Sequence, residues 1–539
     1  MNIDYNTTTL FEIYSRSIKE FNDKIAFATV GKDTLTYGEF GNKVDDLSGL
    51  LFSQGVKKGD KVALLASNMP NWPVAYFAIT VCGAIVVPIL ADFTAFEIAN
   101  ILEHSEAKAI ILSSKLQYKI SPQIKEKIEL IIGIEDLGLI KSTENAIKAD
   151  ISRLHPQDIA AVIYTSGTSG ASKGVMLTHS NLVSQIKMSY DFFNIFPDDI
   201  FLSILPLSHA YECSIGMLFP FACGSSVVYL DGAPTPSLLM PALKEVKPSI
   251  MLSVPLIVEK IYKIKIRPMF TKNFLLRLVY SVSFIRRALH KVAGKKLLET
   301  FGGNLRFFGI GGSRIDGVVE HFLADAGFPY AIGYGLTETS PLIAAAPPGR
   351  VKWQSTGPAL HGIDLKILNP NQKNIGEIVV KGPNVMAGYY KDKKTTDDAF
   401  TADGWFRTKD SGYIDKYGNL FVKGRKDNMV LGPNGENIYP EDIESIINEF
   451  DLVLESLVIE KSGRLIAKVH FNYDEIKNSD GIFGEENTNF REKIAKIKQE
   501  LMVYVNDRVN KSSKISEIIE QTAPFEKTAT QKIKRYLYS

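Results

Sequence analysis

The stretch Tyr164-Thr165-Ser166-Gly167-Thr168-Ser169-Gly170-Ala171-Ser172-Lys173-Gly174-Val175 decides how the rest of the chain is read. An apolar run, Ile159 to Tyr164, leads into it as a buried strand. The loop is made of glycine and hydroxyl residues and closes on one lysine. Glycine lets backbone N–H groups turn toward an anion, and Ser and Thr hydroxyls add donors. Such a composition suits a polyphosphate. A P-loop does not fit, because that motif needs Gly before the Lys, Ser or Thr after it, and a helix at once. Here Ser172 precedes Lys173, Gly174 follows it, and Val175 to Leu177 reads as a second strand, with a helix only near Ser180. The loop therefore joins two strands. A surface turn that binds nothing has the same composition, so the remaining chain must arbitrate.

At 539 residues the chain can bury large cores and form more than one domain. Its net charge of +2 gives no general affinity for polyanions, so nucleic acid is not an expected partner. Cys82, Cys213 and Cys223 are too few and too scattered for a disulfide framework or a zinc site, and read as reduced core thiols. Met1 to Tyr5 lacks the basic and apolar regions of a signal peptide, which points to a cytoplasmic location. Trp72 to Ala91 is apolar enough to raise the question of a membrane span. Gly83 and Pro88 interrupt it, so a buried helix, turn and strand is the expected structure.

Strand and helix alternate along most of the chain. Val62 to Leu65 and Ala109 to Leu112 read as strands, and Thr94-Ala95-Phe96-Glu97 as a capping box opening the helix between them. Pro241 to Val246 reads as helix and Ser249 to Val254 as strand. This alternation gives an α/β class with mostly parallel sheet. Past Gly404 the texture changes to short strands and turns. Pro440 to Glu444 opens a helix, and Leu457 to Glu460 with Leu465 to Phe471 makes a hairpin. Asn472 to Asn489 reads as a loose polar insertion. A small α+β domain is expected from about 425, giving domains 1–424 and 425–539.

Tyr-Thr-Ser-Gly-Thr-x-Gly-x-x-Lys-Gly-Val at 164–175 resembles the signature of the adenylate-forming enzymes, which include acyl-CoA synthetases, peptide-synthetase adenylation domains and luciferases. Ser169 and Ser172 replace the usual Thr and Pro. The resemblance implies a large N-terminal domain of several subdomains with mixed and parallel sheets, and a small mobile C-terminal domain. It also implies that Thr165, Ser166, Gly167, Thr168 and Lys173 hold ATP phosphates. Gly333-Tyr334-Gly335-Leu336-Thr337-Glu338 resembles the second signature: Tyr334 would lie against adenine, Thr337 would touch the α-phosphate, and Glu338 with Thr165 would hold Mg²⁺. Gly311, Gly312 and Ser313 resemble the strand end bordering adenine. Asp410, in Gly404 to Asp410, matches the acid that binds both ribose hydroxyls, although Lys409 stands where Gly is usual. Arg425 matches a nucleotide-binding position and Asp427 the hinge. Gly435 lies in the loop linked to thioester formation, and Lys532 matches the lysine bridging carboxylate and α-phosphate. His209, in Leu205 to Glu212, matches a motif beside the acyl pocket, worded most like the long-chain fatty acyl-CoA synthetases. These motifs follow the family's order.

The resemblance implies a ligase that uses ATP and Mg²⁺ to turn a fatty acid into acyl-AMP and passes the acyl group to CoA. Acyl carrier protein as acceptor, and a nucleotide-binding scaffold held at a membrane, are the alternatives. The segment 260–296 stands apart: it holds many Lys and Arg, no Asp or Glu, and apolar clusters such as Phe274-Leu275-Leu276. It reads equally as a basic amphipathic helix lying on an anionic membrane, at the inner face, or as a helix packed on the protein with a solvated cationic side.

Overall fold

The structure is a computed structural model that describes residues 3–32, 34–142, 153–166, 172–271, 274–431, 437–450, 452–461, 463–477, 490–527 and 533–538. Two eight-stranded sheets form its larger part. The first runs, in spatial order, Gly388–Tyr389, Ser172–Thr178, Ile159–Ser166, Ile85–Ile89, Lys61–Leu65, Ala109–Leu112, Leu130–Gly133 and Leu139–Lys141. Its centre is parallel, and its two margins are antiparallel. The second runs Leu342–Ala346, Tyr330–Gly335, Phe307–Ile310, Ile250–Ser253, Ile200–Ser203, Ser226–Tyr229, Ile25–Thr29 and Thr34–Thr36, again parallel except at its two margins.

The largest core lies between these sheets. The helix Asn71–Val81 sits there with Trp72, Tyr76 and Phe77 fully buried, which explains why it is apolar all round. Its Phe77 ring lies 4.7 Å from that of Phe221. The helix ends at Cys82, and the strand Ile85–Ile89 returns beside Lys61–Leu65, as the sequence indicates. At the next helix, Ala95–Ser105, both capping-box bonds form: Glu97 N–H donates to Thr94 Oγ1 at 3.2 Å and Thr94 N–H to Glu97 Oε2 at 2.8 Å.

A four-stranded antiparallel sheet, Asp364–Leu368, Gly376–Lys381, Phe406–Ile414 and Leu420–Arg425, completes the larger part. Beyond it, Val453–Lys461, Arg464–Phe471 and Ile515–Glu520 form a three-stranded sheet. Helices Pro440–Asn448 and Phe490–Asn506 cover it with a core of their own, including Ile443, Val458, Ile497 and Leu501. Two expectations are corrected. Residues 260–296 are not one helix but several short ones followed by the longer Ser283–Thr300, whose His290, Ala293 and Leu297 are buried against the protein. The polar insertion is partly ordered, since Tyr473–Lys477 is helical and Asn472 Nδ2 donates to Glu475 Oε2 at 3.0 Å. Residues 478–489 lie outside the described residues.

Candidate active site

Ile159–Ser166 and Ser172–Thr178 form an antiparallel hairpin, with Thr165 opposite Lys173 and Ser166 opposite Ser172. Gly167 and Thr168, in the connection, lie outside the described residues, as do the side chain of Ser166 and all of Gly435 and Lys532. The short strand Gly388–Tyr389 adds to the hairpin's margin, and Tyr390 N–H donates to Gly174 O at 2.7 Å. This edge brings Tyr389 over Lys173, whose Nζ is 5.4 Å from the ring centroid. The Tyr389 hydroxyl donates to Glu338 Oε1 at 2.9 Å, and Met386 N–H donates to Glu338 O at 2.9 Å. Glu338 is thus fastened to the end of the phosphate-loop hairpin by side chain and backbone.

The segment carrying Glu338 turns back sharply on itself. A Cβ on Gly335 would fall 1.8 Å from Pro341 O, so only glycine fits there. Leu336 N–H donates to Pro341 O at 3.0 Å, and Asn384 Nδ2 donates to Thr339 O and Leu342 O, both at 2.9 Å. Thr337 is buried within this turn and Glu338 is half-buried at its rim.

Tyr334 lies in the strand that leads into this turn. Its hydroxyl donates to Asp410 Oδ2 at 2.7 Å. Asp410 pairs across the small antiparallel sheet with Arg425, whose Nη1 lies 3.5 Å from Asp410 Oδ1 and donates to Thr408 O at 3.0 Å. Lys409 adopts φ 60°, the left-handed region that favours glycine, which accounts for its mismatch to the motif. Burial, with the charge of Asp410, holds the Tyr334 hydroxyl far above its usual range. Burial works against the Arg425 guanidinium, but Asp410, Glu338, Tyr334 and Asp427 outweigh it and raise its pKa. Asp410, Tyr334, Arg425 and Glu338 therefore belong to one electrostatic neighbourhood. Among the described residues no group of three His, Cys, Asp or Glu side chains could cage a metal. A single carboxylate such as Glu338 fits Mg²⁺ better, because that ion keeps waters and substrate phosphates as its other ligands.

The end of the strand Phe307–Ile310 brings Gly311, Gly312 and Ser313 alongside. Gly312 has φ 90°, and Ser313 is exposed. A Cβ on Gly309 would meet Tyr211 Oη at 2.8 Å, and one on Gly311 would meet the same ring at 3.2 Å. Behind Tyr211 lies an apolar cavity of about 40 Å³, whose walls include Phe193, Ile215, Phe307, Gly333 and Ala345. It shares Gly333 with the nucleotide segment, so the two spaces meet at one strand. His209 starts the turn into the π-helix Glu212–Leu218. Its Nδ1 accepts from Tyr211 N–H at 3.3 Å.

Next after Tyr211, Glu212 is buried behind the cavity, with Ser203 Oγ donating to its Oε1 at 2.5 Å and Oε2 without a partner among the described residues. Burial pushes its carboxyl up to about 8. Sequence reading did not single out Tyr389, Asn384, Tyr211 or Glu212. The aromatic pair after Gly388 and the Gly382-Pro383-Asn384 turn were the available signals.

The smaller unit meets the larger through Arg314 Nη1 and Asp442 Oδ1 at 2.6 Å, and through Lys263 Nζ, which donates to Asn448 O at 2.9 Å. Asp427 is exposed in the short turn Lys426–Asn428 between the two. Beside the terminal motif, Lys527 pairs with Glu455 and bridges to Ile533.

Residues 14–390 match the family described as AMP-binding enzyme. The long-chain-fatty-acid–CoA ligase FadD15 of Mycobacterium bovis is 30% identical over 461 residues, covering 79% of this chain and 75% of that one. The long-chain-fatty-acid–[acyl-carrier-protein] ligase AEE15, chloroplastic, of Arabidopsis thaliana is 27% identical, covering 85% and 76%. Among solved structures, ATP-bound MatB from Rhodopseudomonas palustris superposes with a TM-score of 0.78 at 22% identity, covering 99% of this chain and 98% of that one. The anthranilate CoA ligase AuaEII with anthranoyl-AMP gives 0.79 at 19%, with the same coverage. A phosphate-loop hairpin, an acid-bearing turn fastened to it and a Tyr–Asp–Arg group share one neighbourhood, and a family match spans most of the chain around them: the chain belongs to the AMP-binding enzyme family.

Proposed function

We propose that the protein is an ATP-dependent acid–thiol ligase that activates a long-chain fatty acid as acyl-AMP and passes the acyl group to CoA. The carrying observation is the Tyr334–Asp410–Arg425 group beside Glu338 and the phosphate-loop hairpin, with an apolar cavity bordering the same strand at Gly333. A carboxylate is a poor electrophile because it is negatively charged and lacks a good leaving group. Its oxygen attacks the α-phosphorus of ATP, the bond to the β-phosphate breaks, and pyrophosphate leaves. The thiol of CoA, losing its proton, then attacks the acyl carbon and AMP departs with the bonding electrons. Asp410 accepts the ribose hydroxyls, Arg425 steadies that carboxylate, and Tyr334 with Gly311, Gly312 and Ser313 borders the base. Thr165, Ser166, Gly167, Thr168 and Lys173 cradle the phosphates. Thr337 touches the α-phosphate. Glu338 and Thr165 are the residues that would hold Mg²⁺, which when bound neutralises phosphate charge.

Lys532 supplies the cation between carboxylate and α-phosphate, and removing it is expected to slow adenylation by ~10²–10³-fold. Residues 425–539 move as a unit about Asp427 between the half-reactions, exchanging Lys532 for the Gly435 loop. His209 orients the acyl carboxylate or the incoming thiol. Support for the substrate class comes from the relative named as a long-chain-fatty-acid–CoA ligase. The relative named for an acyl-carrier-protein acceptor favours a second reading of the thiol step. The test is acid-dependent ATP–pyrophosphate exchange over a panel of alkanoic acids, followed by AMP release with CoA or with holo-acyl carrier protein. Exchange with long acids and faster release with CoA are expected. Faster release with the carrier favours the second reading, and a panel with no acid-dependent exchange overturns both.

A further inference from the structure

Between Glu259 and Glu299 the chain carries no acidic residue and many Lys and Arg. Its longest helix there, Ser283–Thr300, buries His290, Ala293, Gly294 and Leu297 against the protein. The inner side is anchored by polar contacts as well: Tyr280 Oη and His290 Nε2 lie 2.7 Å apart, and His290 Nδ1 and Asp325 Oδ2 3.1 Å. The outer side is different. Phe284, Ala288 and Val292 follow at four-residue spacing, and Arg287, Lys291 and Lys295 follow at the same spacing one position earlier. Residues four apart are neighbours on a helix surface. These are two adjacent rows, one apolar and one cationic, and all six residues are exposed.

Phe284 is 74% exposed and Val292 61%, and their meaning lies in standing together with other exposed apolar residues rather than singly. The preceding helix, Phe274–Ser281, adds exposed Leu278 and Val279, Val282 follows it, and the helical turns Tyr262–Ile266 and Arg267–Thr271 add Ile264, Lys265 and Met269. Arg287 does approach Asp325, at 3.5 Å, but its own side chain stays largely exposed. Among the described residues no helix is long and apolar enough to cross a membrane. The geometry points to a docking face for an anionic lipid bilayer, with the apolar row entering the headgroup boundary and the cationic row meeting lipid phosphates. Surface attachment needs both signals, and this face supplies both. An acidic protein would complement the cations alone and leave Phe284 and Val292 in water, which is why the bilayer is favoured. None of these residues touches the candidate active site, so the inference stands apart from the proposed reaction.

The test is flotation of the full chain with vesicles of phosphatidylcholine alone or mixed with phosphatidylglycerol, at ~0.1 M and ~0.5 M salt. Binding is expected only to the mixed vesicles, and it should fall at the higher salt. Lys291→Gln with Lys295→Gln should weaken it roughly 30-fold, at the usual contribution per cation near a charged surface. Phe284→Ser with Val292→Ser should weaken it even at low salt, with circular dichroism showing an unchanged fold. The inference is overturned if the wild type ignores anionic vesicles at low salt, or if both variants float like wild type. It is also overturned if the substitutions instead abolish binding to an acidic acyl carrier protein or dissolve a dimer seen by light scattering.

Discussion

The nucleotide side of the cleft and the apolar cavity beside it share the strand Tyr330–Gly335, yet they are made of different interactions. On the nucleotide side, a few side chains are held by specific donors and acceptors: Tyr334 on Asp410, Arg425 on Thr408 O, Tyr389 on Glu338. The first and third join separate sheets or their connections, and the second joins adjacent strands of one sheet, so each fixes a direction. The cavity is walled by Phe193, Ile215, Phe307 and Ala345, which contribute volume and exclude water but define no direction. A charged substrate demands groups placed to within a hydrogen bond, and an alkyl chain demands only apolar surface of suitable shape. Damage to the polar side should therefore abolish activity, while damage to the apolar side should redirect it.

Asp410→Ala tests the polar side most severely. It removes two acceptor positions and leaves Tyr334 and Arg425 without their partner, so kcat/KM for acid-dependent pyrophosphate release should fall roughly 10²–10⁴-fold. A fall no larger than that of a cavity variant would erase the distinction.

Glu212 sits at the boundary, an acid buried behind the apolar wall. A carboxyl whose folded pKa is raised costs stability as pH climbs, because the folded chain keeps a proton that the unfolded chain releases. The cost is absent below the ordinary value of 4.5 and is complete above the folded value of about 8. Glu212→Gln should therefore stabilise the protein by ~5 kcal/mol near the upper end, at about 1.4 kcal/mol for each pH unit between the two values, and change little at the lower end. Urea unfolding at both pH values measures this, and an equal difference at both would show that ionisation is not the cause.

Tyr389→Phe removes only the bond to Glu338 and should lower kcat/KM about 10-fold, as for a hydrogen bond to a charged group. Pyrophosphate release is again the readout, and Glu338→Gln on top of it should add less than it does alone.

The smallest effect is expected on the apolar side. Ala345→Val fills part of the cavity and should shift preference toward shorter or slimmer acids by ~10-fold, with the best acid still turned over at nearly the wild-type rate. A uniform loss across the acid panel would mean that the wall positions the nucleotide rather than the chain.

The phosphate-loop hairpin, the buried helix at 71–81, the capping box at Thr94 and the hairpin at 453–471 were legible because each depends on neighbours in sequence. The breaks within 260–296 were not. Tyr262, Ile266, Phe270, Ala293 and Leu297 come from separate helices and share one core with distant elements, which no local pattern reveals. The same holds for Tyr389 and Asn384, whose partners lie 51 and 45 residues away and carry no local signal.

By itself the sequence determined the class of chemistry, since glycines, hydroxyls and single acids in fixed local order encode backbone shape and donor type without help from distant residues. Only the tertiary structure decided that Tyr334 meets Asp410, that Tyr389 fastens Glu338, and where the apolar cavity lies. Those are contacts between strands far apart in the chain, chosen by how whole sheets pack rather than by any one residue's preference.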